Sequence, residues 1–275
     1  MHAAVRLWRR APAWRTSLML AIAATILALL YPPWQRHGAP GAVSRYVPLT
    51  PRSALGPPYV DVLSFAGRWI PLPAGEWRGV NETRTKSDPP QVSTMFVRMN
   101  GNTTGGILVV DANSAPSTVP RAFPLPHACN SPLAYAARMI PPHDQVQHEC
   151  WSILPAFLPA DWSSPKVSAT YRRGMQRLQE ANIAVPPVLI GATWFECDDR
   201  NWLLVQYFFD PTTDASVPKD PLSWVRSAAL GNADASRYID RVKAWSSSWT
   251  TLLEKGAHAE LLPSEVNAAS SMAGN

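Results

Sequence analysis

Two triplets carry the residue types most able to do chemistry. His127-Ala-Cys129 and His148-Glu-Cys150 repeat a His-x-Cys pattern and hold two of the three cysteines. On strands, residues i and i+2 share a face. Imidazole and thiolate from both triplets would then form a Cys2His2 set suited to zinc, or to copper on grounds of sulfur softness. His143 would be a spare ligand. Prolines 124, 126, 141 and 142 argue against two flat strands and read as a loop. In an oxidising compartment, two cysteines this close in sequence are more simply a disulfide. The expected pair is Cys129–Cys150.

Cys197 is the odd cysteine, at the end of the apolar run PVLIGATWFEC. A nearby histidine would make it a nucleophile, and burial would make it a packing thiol. Packing, or an exchange of disulfide partner, is the simpler reading. Glu196, Asp198 and Asp199 have the chemistry of acid–base carboxylates. They bracket a tight turn, where acidic residues serve turn geometry, and the turn reading is preferred.

The chain carries none of the phosphate-loop, zinc-helix, nucleophile-elbow or dinucleotide-binding signatures, and no Cys-x-x-Cys. No catalytic residue or cofactor is assigned, and the reading leans away from an enzyme.

The compartment follows from the N-terminal segment. Residues 1–52 hold seven arginines and no acidic residue. With seven of the 25 basic residues there, the rest of the chain has 18 against 20 acidic ones. The basic excess therefore sits beside an apolar run and does not form the basic domain face that nucleic acid requires. No charge lies between Arg15 and Arg36. A helix over residues 13–31 would be roughly 28 Å long, near the thickness of a bilayer core. Trp14, Tyr31 and Trp34 fit interfacial positions, and Leu18 through Leu30 form the apolar centre. Four preceding arginines favour a cytoplasmic N-terminus. A cleaved signal peptide is the alternative, but Tyr-Pro-Pro-Trp follows the run in place of a small-x-small site. Either reading exports the remainder. Low Lys with high Ala, Arg, Pro and Trp suggests a high-GC bacterium.

The expected organisation is a cytoplasmic basic tail at 1–15 and a signal-anchor span at 16–34. A proline-rich stalk at 35–58, one periplasmic domain at 59–262 and a disordered tail at 263–275 follow. The domain reads as α+β, a mainly antiparallel sheet with two or three packed helices. Short strands are expected within 59–73, around Ala66-Gly67, and at 75–85. Hairpins are expected at 92–99 with 105–112 and at 187–197 with 201–210. The last strand is apolar on both faces and should be central. Helices are expected at 168–183, 221–230 and 234–256. The last carries a stripe of Tyr238, Val242, Trp245, Trp249 and Leu252, with Asp234 as N-cap and Gly256 at its end.

Twelve tryptophans are many for 275 residues. Trp245 and Trp249 belong to the helix stripe and read as core. Trp162 and Trp224 sit in loop or short-helix contexts and are candidates for an interaction surface. The functional expectation is an anchored periplasmic accessory or scaffold protein of a cell-envelope assembly, in contact with inner-membrane lipid and other envelope proteins. The alternatives are an exported enzyme or metal protein built on the His/Cys triplets, and a glycan-binding domain.

Overall fold

The hairpins read from the sequence belong to one antiparallel sheet. The computed structural model describes residues 45–47, 55–140, 146–158 and 168–270. The fold is α+β, with a nine-stranded sheet ordered β1-β5-β6-β7-β11-β10-β9-β8, and β2 also on β5. Its strands are β1 (Arg45–Val47), β2 (Pro58–Tyr59), β5 (Trp77–Arg84), β6 (Gln91–Asn100), β7 (Thr103–Asn113), β8 (Ala136–Ile140), β9 (His148–Phe157), β10 (Val188–Cys197) and β11 (Trp202–Phe209). A separate hairpin joins β3 (Val62–Phe65) to β4 (Arg68–Pro71). Ala66 and Gly67, both with positive φ, make its turn, as a two-residue hairpin requires.

Among the described residues there are four α-helices: α1 (Ala169–Glu180), α2 (Arg226–Gly231), α3 (Ala233–Ala257) and α4 (Pro263–Ser270). The alternation of β11 sends Leu203, Val205 and Tyr207 to one face, where they pack with Trp249, Leu252 and Leu253 of α3. The β3–β4 hairpin adds Leu63, Phe65 and Ile70 to this layer. Farther along, Ile153, Val188 and Ile190 meet Ile239 and Val242. On the opposite face, Met175 and Leu178 of α1 cover Met95, Val97 and Ile107.

Close packing is set by two glycines. A β-carbon at Gly174 would collide with the Met95 sulfur, and one at Gly256 with the carbonyl oxygen of Trp69. Gly256 is therefore a contact residue inside α3, which runs on to Ala257 and is capped by His258. At the other end the cap is Asn232, not Asp234. The Asn232 carboxamide oxygen accepts from the backbone N–H groups of Asp234 and Ala235, both at 3.0 Å.

Several expectations are corrected. Part of the supposed stalk is sheet: β1 pairs with Glu82–Arg84, and the Gly56 N–H bonds the Gly79 carbonyl at 2.7 Å. Residues 148–157 are not loop. They form β9, bonded to all ten residues of β10. Pro155 is tolerated because β8 begins opposite Ile153, and no described strand pairs with that edge of β9 beyond it. The tail is not disordered through 263–270. It forms α4, whose Val266 is fully buried, and Glu265 pairs with Lys255. The 221–230 helix is a 3₁₀ turn at Pro221–Trp224 followed by α2.

No helix among the described residues is long and apolar enough to cross a membrane. The expected tail at 1–15 and span at 16–34, with Trp14, Leu18, Leu30, Tyr31 and Trp34, lie outside the described residues.

Candidate functional site

The two His-x-Cys triplets come together through their sulfurs. Cys129 and Cys150 form a disulfide, with Cα atoms 5.9 Å apart. Cys129 lies in a 3₁₀ turn, His127–Asn130, and Cys150 lies in β9. The bond consumes both thiols, so the set His127, Cys129, His148, Cys150 is not a metal site. Among the described residues no group of three or more His, Cys, Asp or Glu is placed to hold a metal ion. The disulfide packs with Phe123, Phe195 and Cys197 in a small apolar cluster. Cys197 is 2% exposed, and burial pushes its thiol up to about 11. Burial favours the packing thiol over the nucleophile, although His148 is its cross-strand neighbour on β9.

Trp224 is not on the surface. It is fully buried, and its indole N–H donates to the Pro218 carbonyl at 3.1 Å. Its own carbonyl accepts from the Tyr135 hydroxyl. Trp162 lies outside the described residues. Trp249 is buried and Trp245 packs beside it, 5.0 Å between ring centroids.

The sequence did not point to the concave site that the fold creates. A cavity of 310 Å³ opens where the β3–β4 turn, the end of β7, the β10–β11 turn and the end of α3 converge. Arg68 enters from β4, where burial lowers its pKa and Asp198 and Glu196 act against that shift. Its guanidinium donates to the carbonyls of Asn113 at 3.0 Å and Ala66 at 3.4 Å, and to Asn113 Oδ1 at 3.2 Å. These acceptors are all neutral. Asn113 is 1% exposed and fully used: Oδ1 also accepts from the Trp202 N–H, and Nδ2 donates to Ala115 O at 2.8 Å.

The three carboxylates at 196–199 separate into different roles. Asp198 is a turn residue as expected, accepting from the Arg200 and Asn201 N–H groups at 2.6 Å each. Asp199 offers its backbone carbonyl to Arg121 N at 2.8 Å. Glu196 does not serve the turn. It shares a face of β10 with Trp194, next to Glu149 of β9, and lines the cavity. Its Oε1 stands 3.6 Å from His258 Nε2, and its Oε2 is buried without a hydrogen-bonding partner among the described residues.

Burial raises the Glu196 pKa. His258 opposes this, Glu149 and Glu254 add to it, and Arg68 opposes it more weakly. Glu149 accepts from the Trp194 indole at 3.0 Å. Glu254 is raised by burial, by the charge of Glu149 and by a hydrogen bond with it. The site can therefore accept and donate hydrogen bonds at one spot: a desolvated carboxyl, an exposed imidazole and a tethered guanidinium.

Arg68 and His258 are 190 positions apart, so no local spacing could have revealed them. The one available signal was Glu196 itself, whose place in the strand alternation puts it on the face of Trp194. No family model, no curated protein and no solved structure matches this chain.

Proposed function

We propose that this chain is a membrane-anchored periplasmic accessory protein of a bacterial cell-envelope assembly, one serving secretion, polysaccharide export or a membrane complex. The Cys129–Cys150 disulfide carries the reading. Such bonds form and persist outside the reducing cytoplasm, and the arginine-flanked apolar run at 16–34 supplies a means of export and anchoring. Inner-membrane lipid and other envelope proteins are its partners. The metal-protein alternative loses its ligands to the disulfide.

The test fuses alkaline phosphatase, active only after export, to the C-terminus of the full chain, and in parallel a fluorescent protein that matures only in the cytoplasm. Phosphatase activity in the membrane fraction is expected. A fluorescent, phosphatase-inactive pair would sink the topology. Mild crosslinking in cells should yield heavier adducts containing other envelope proteins. Recovery of uncrosslinked monomer alone would remove the accessory role.

A further inference from the structure

The structure assigns to the Arg68–Glu196–His258 cavity a binding site for one neutral sugar ring, recognised through adjacent hydroxyl groups. The inference is independent of compartment and of any envelope partner.

Three observations carry it. The first is size. At 310 Å³ the cavity falls at the small end of the roughly 300–1,000 Å³ typical of ligand sites. The second is unmet hydrogen bonding. Asn113 and Asp198 are spent on holding the walls. Glu196 is not: its side chain is 23% exposed, and its Oε1 stands 3.6 Å from His258 Nε2 with no hydrogen-bonding partner among the described residues. A carboxylate oxygen left open at a cavity wall is an acceptor that a ligand hydroxyl can use. Beside it, the side chain of His258 is 65% exposed and free to turn towards a ligand.

The third is charge. Among the described residues Arg68 has no carboxylate within ion-pair distance, yet Asp198 and Glu196 both act on it through space. Glu149 and Glu254 stand behind Glu196. One cation thus faces an excess of carboxylates, and an anionic ligand meets net repulsion. A cationic ligand meets the Arg68 guanidinium, which cannot deprotonate. A neutral diol escapes both penalties. One hydroxyl donates to Glu196, and its neighbour accepts from Arg68 or His258.

The test uses the full-length protein in a detergent without a sugar headgroup. Methyl glycosides of glucose, galactose, mannose and N-acetylglucosamine are titrated by saturation-transfer NMR and calorimetry. Glucuronate and glucosamine are the charged arms. At least one neutral glycoside is expected to bind at millimolar concentration. Glu196→Ala and His258→Ala should each weaken it roughly tenfold, the value of one charged hydrogen bond. Should Glu196→Ala fail to fold, the exposed His258→Ala decides alone. The proposal is overturned if no neutral glycoside binds at tens of millimolar. It is equally overturned if folded variants bind as well as the parent, or if only glucuronate or only glucosamine binds.

Discussion

The Cα of Gly256 on α3 lies directly against the carbonyl oxygen of Trp69 on β4, with no room for a β-carbon between them. Backbone meets backbone here, so neither side can swing away. Gly256→Ala should therefore destabilise by about 1–3 kcal/mol through overpacking. It does so despite the roughly 1 kcal/mol that alanine gains over glycine in a helix. Gly174→Ala meets mainly the flexible Met95 side chain and should cost less. Thermal melting of both variants checks the order, and a Gly256→Ala protein as stable as the parent would refute it.

Asp111 is the titrating group with the clearest effect on stability. Burial pushes its carboxyl up to about 6, against a hydrogen bond with Ser93 that lowers it. A raised carboxyl pKa means that the folded state holds its proton more tightly than the unfolded chain does. Its contribution is complete below pH 3.8 and is lost as pH rises through about 6. Asp111→Asn should thus be more stable than the parent above pH 6 by roughly 2 kcal/mol, and the gap should close near pH 4. Urea midpoints at pH 4, 5, 6 and 7.5 give the profile. A gap that does not change with pH would contradict the assignment.

Cys197 should resist thiol reagents in the native protein. It is buried in the apolar cluster around the disulfide, and its thiol stays protonated to about pH 11. Labelling with a chromogenic disulfide reagent is expected to be slow in buffer and immediate in denaturant, with one thiol counted. Fast native labelling would mean that the cluster opens readily.

The disulfide closes a loop with a sequence separation of 21. Reduction, or the double substitution Cys129→Ala with Cys150→Ala, should cost roughly 3 kcal/mol in the chain-entropy account. Intact mass should rise by two hydrogens on reduction. Melting temperatures with and without reductant read the stability change, and equal values would show that the loop is held by packing alone.

Alternation and turn residues made most of the sheet legible. Asn-Gly-Asn between β6 and β7, Asp-Asp-Arg between β10 and β11, and Ala-Gly between β3 and β4 all mark turns in the sequence, and all are turns in the fold. The apolar stripe of α3 identified its buried face in part: Val242, Trp249 and Leu252 are buried, whereas Tyr238 and Trp245 are half-buried. β9 was missed because prolines surround it, and Pro155 sits inside it. What decides there is whether a neighbouring strand needs the missing N–H, and that is a tertiary fact. Trp224 was misread because a short 3₁₀ turn has no period from which burial can be judged. The cavity was illegible for a different reason. Arg68 and His258 carry no motif, and only the docking of α3 on the β3–β4 hairpin brings them to Glu196.

That docking has a consequence for how the molecule is made. The cavity walls come from residues 66–68, residues 113–116, the strand ends at the β10–β11 turn and residues 257–258, and the chain is synthesised from the N-terminal end. Three walls emerge before the fourth exists. Until His258 has cleared the ribosome, the wall that it supplies beside Glu196 is missing. Completion of the cavity is thus a late event, which waits for the end of α3. A ligand bound there would stabilise finished molecules selectively over truncated ones.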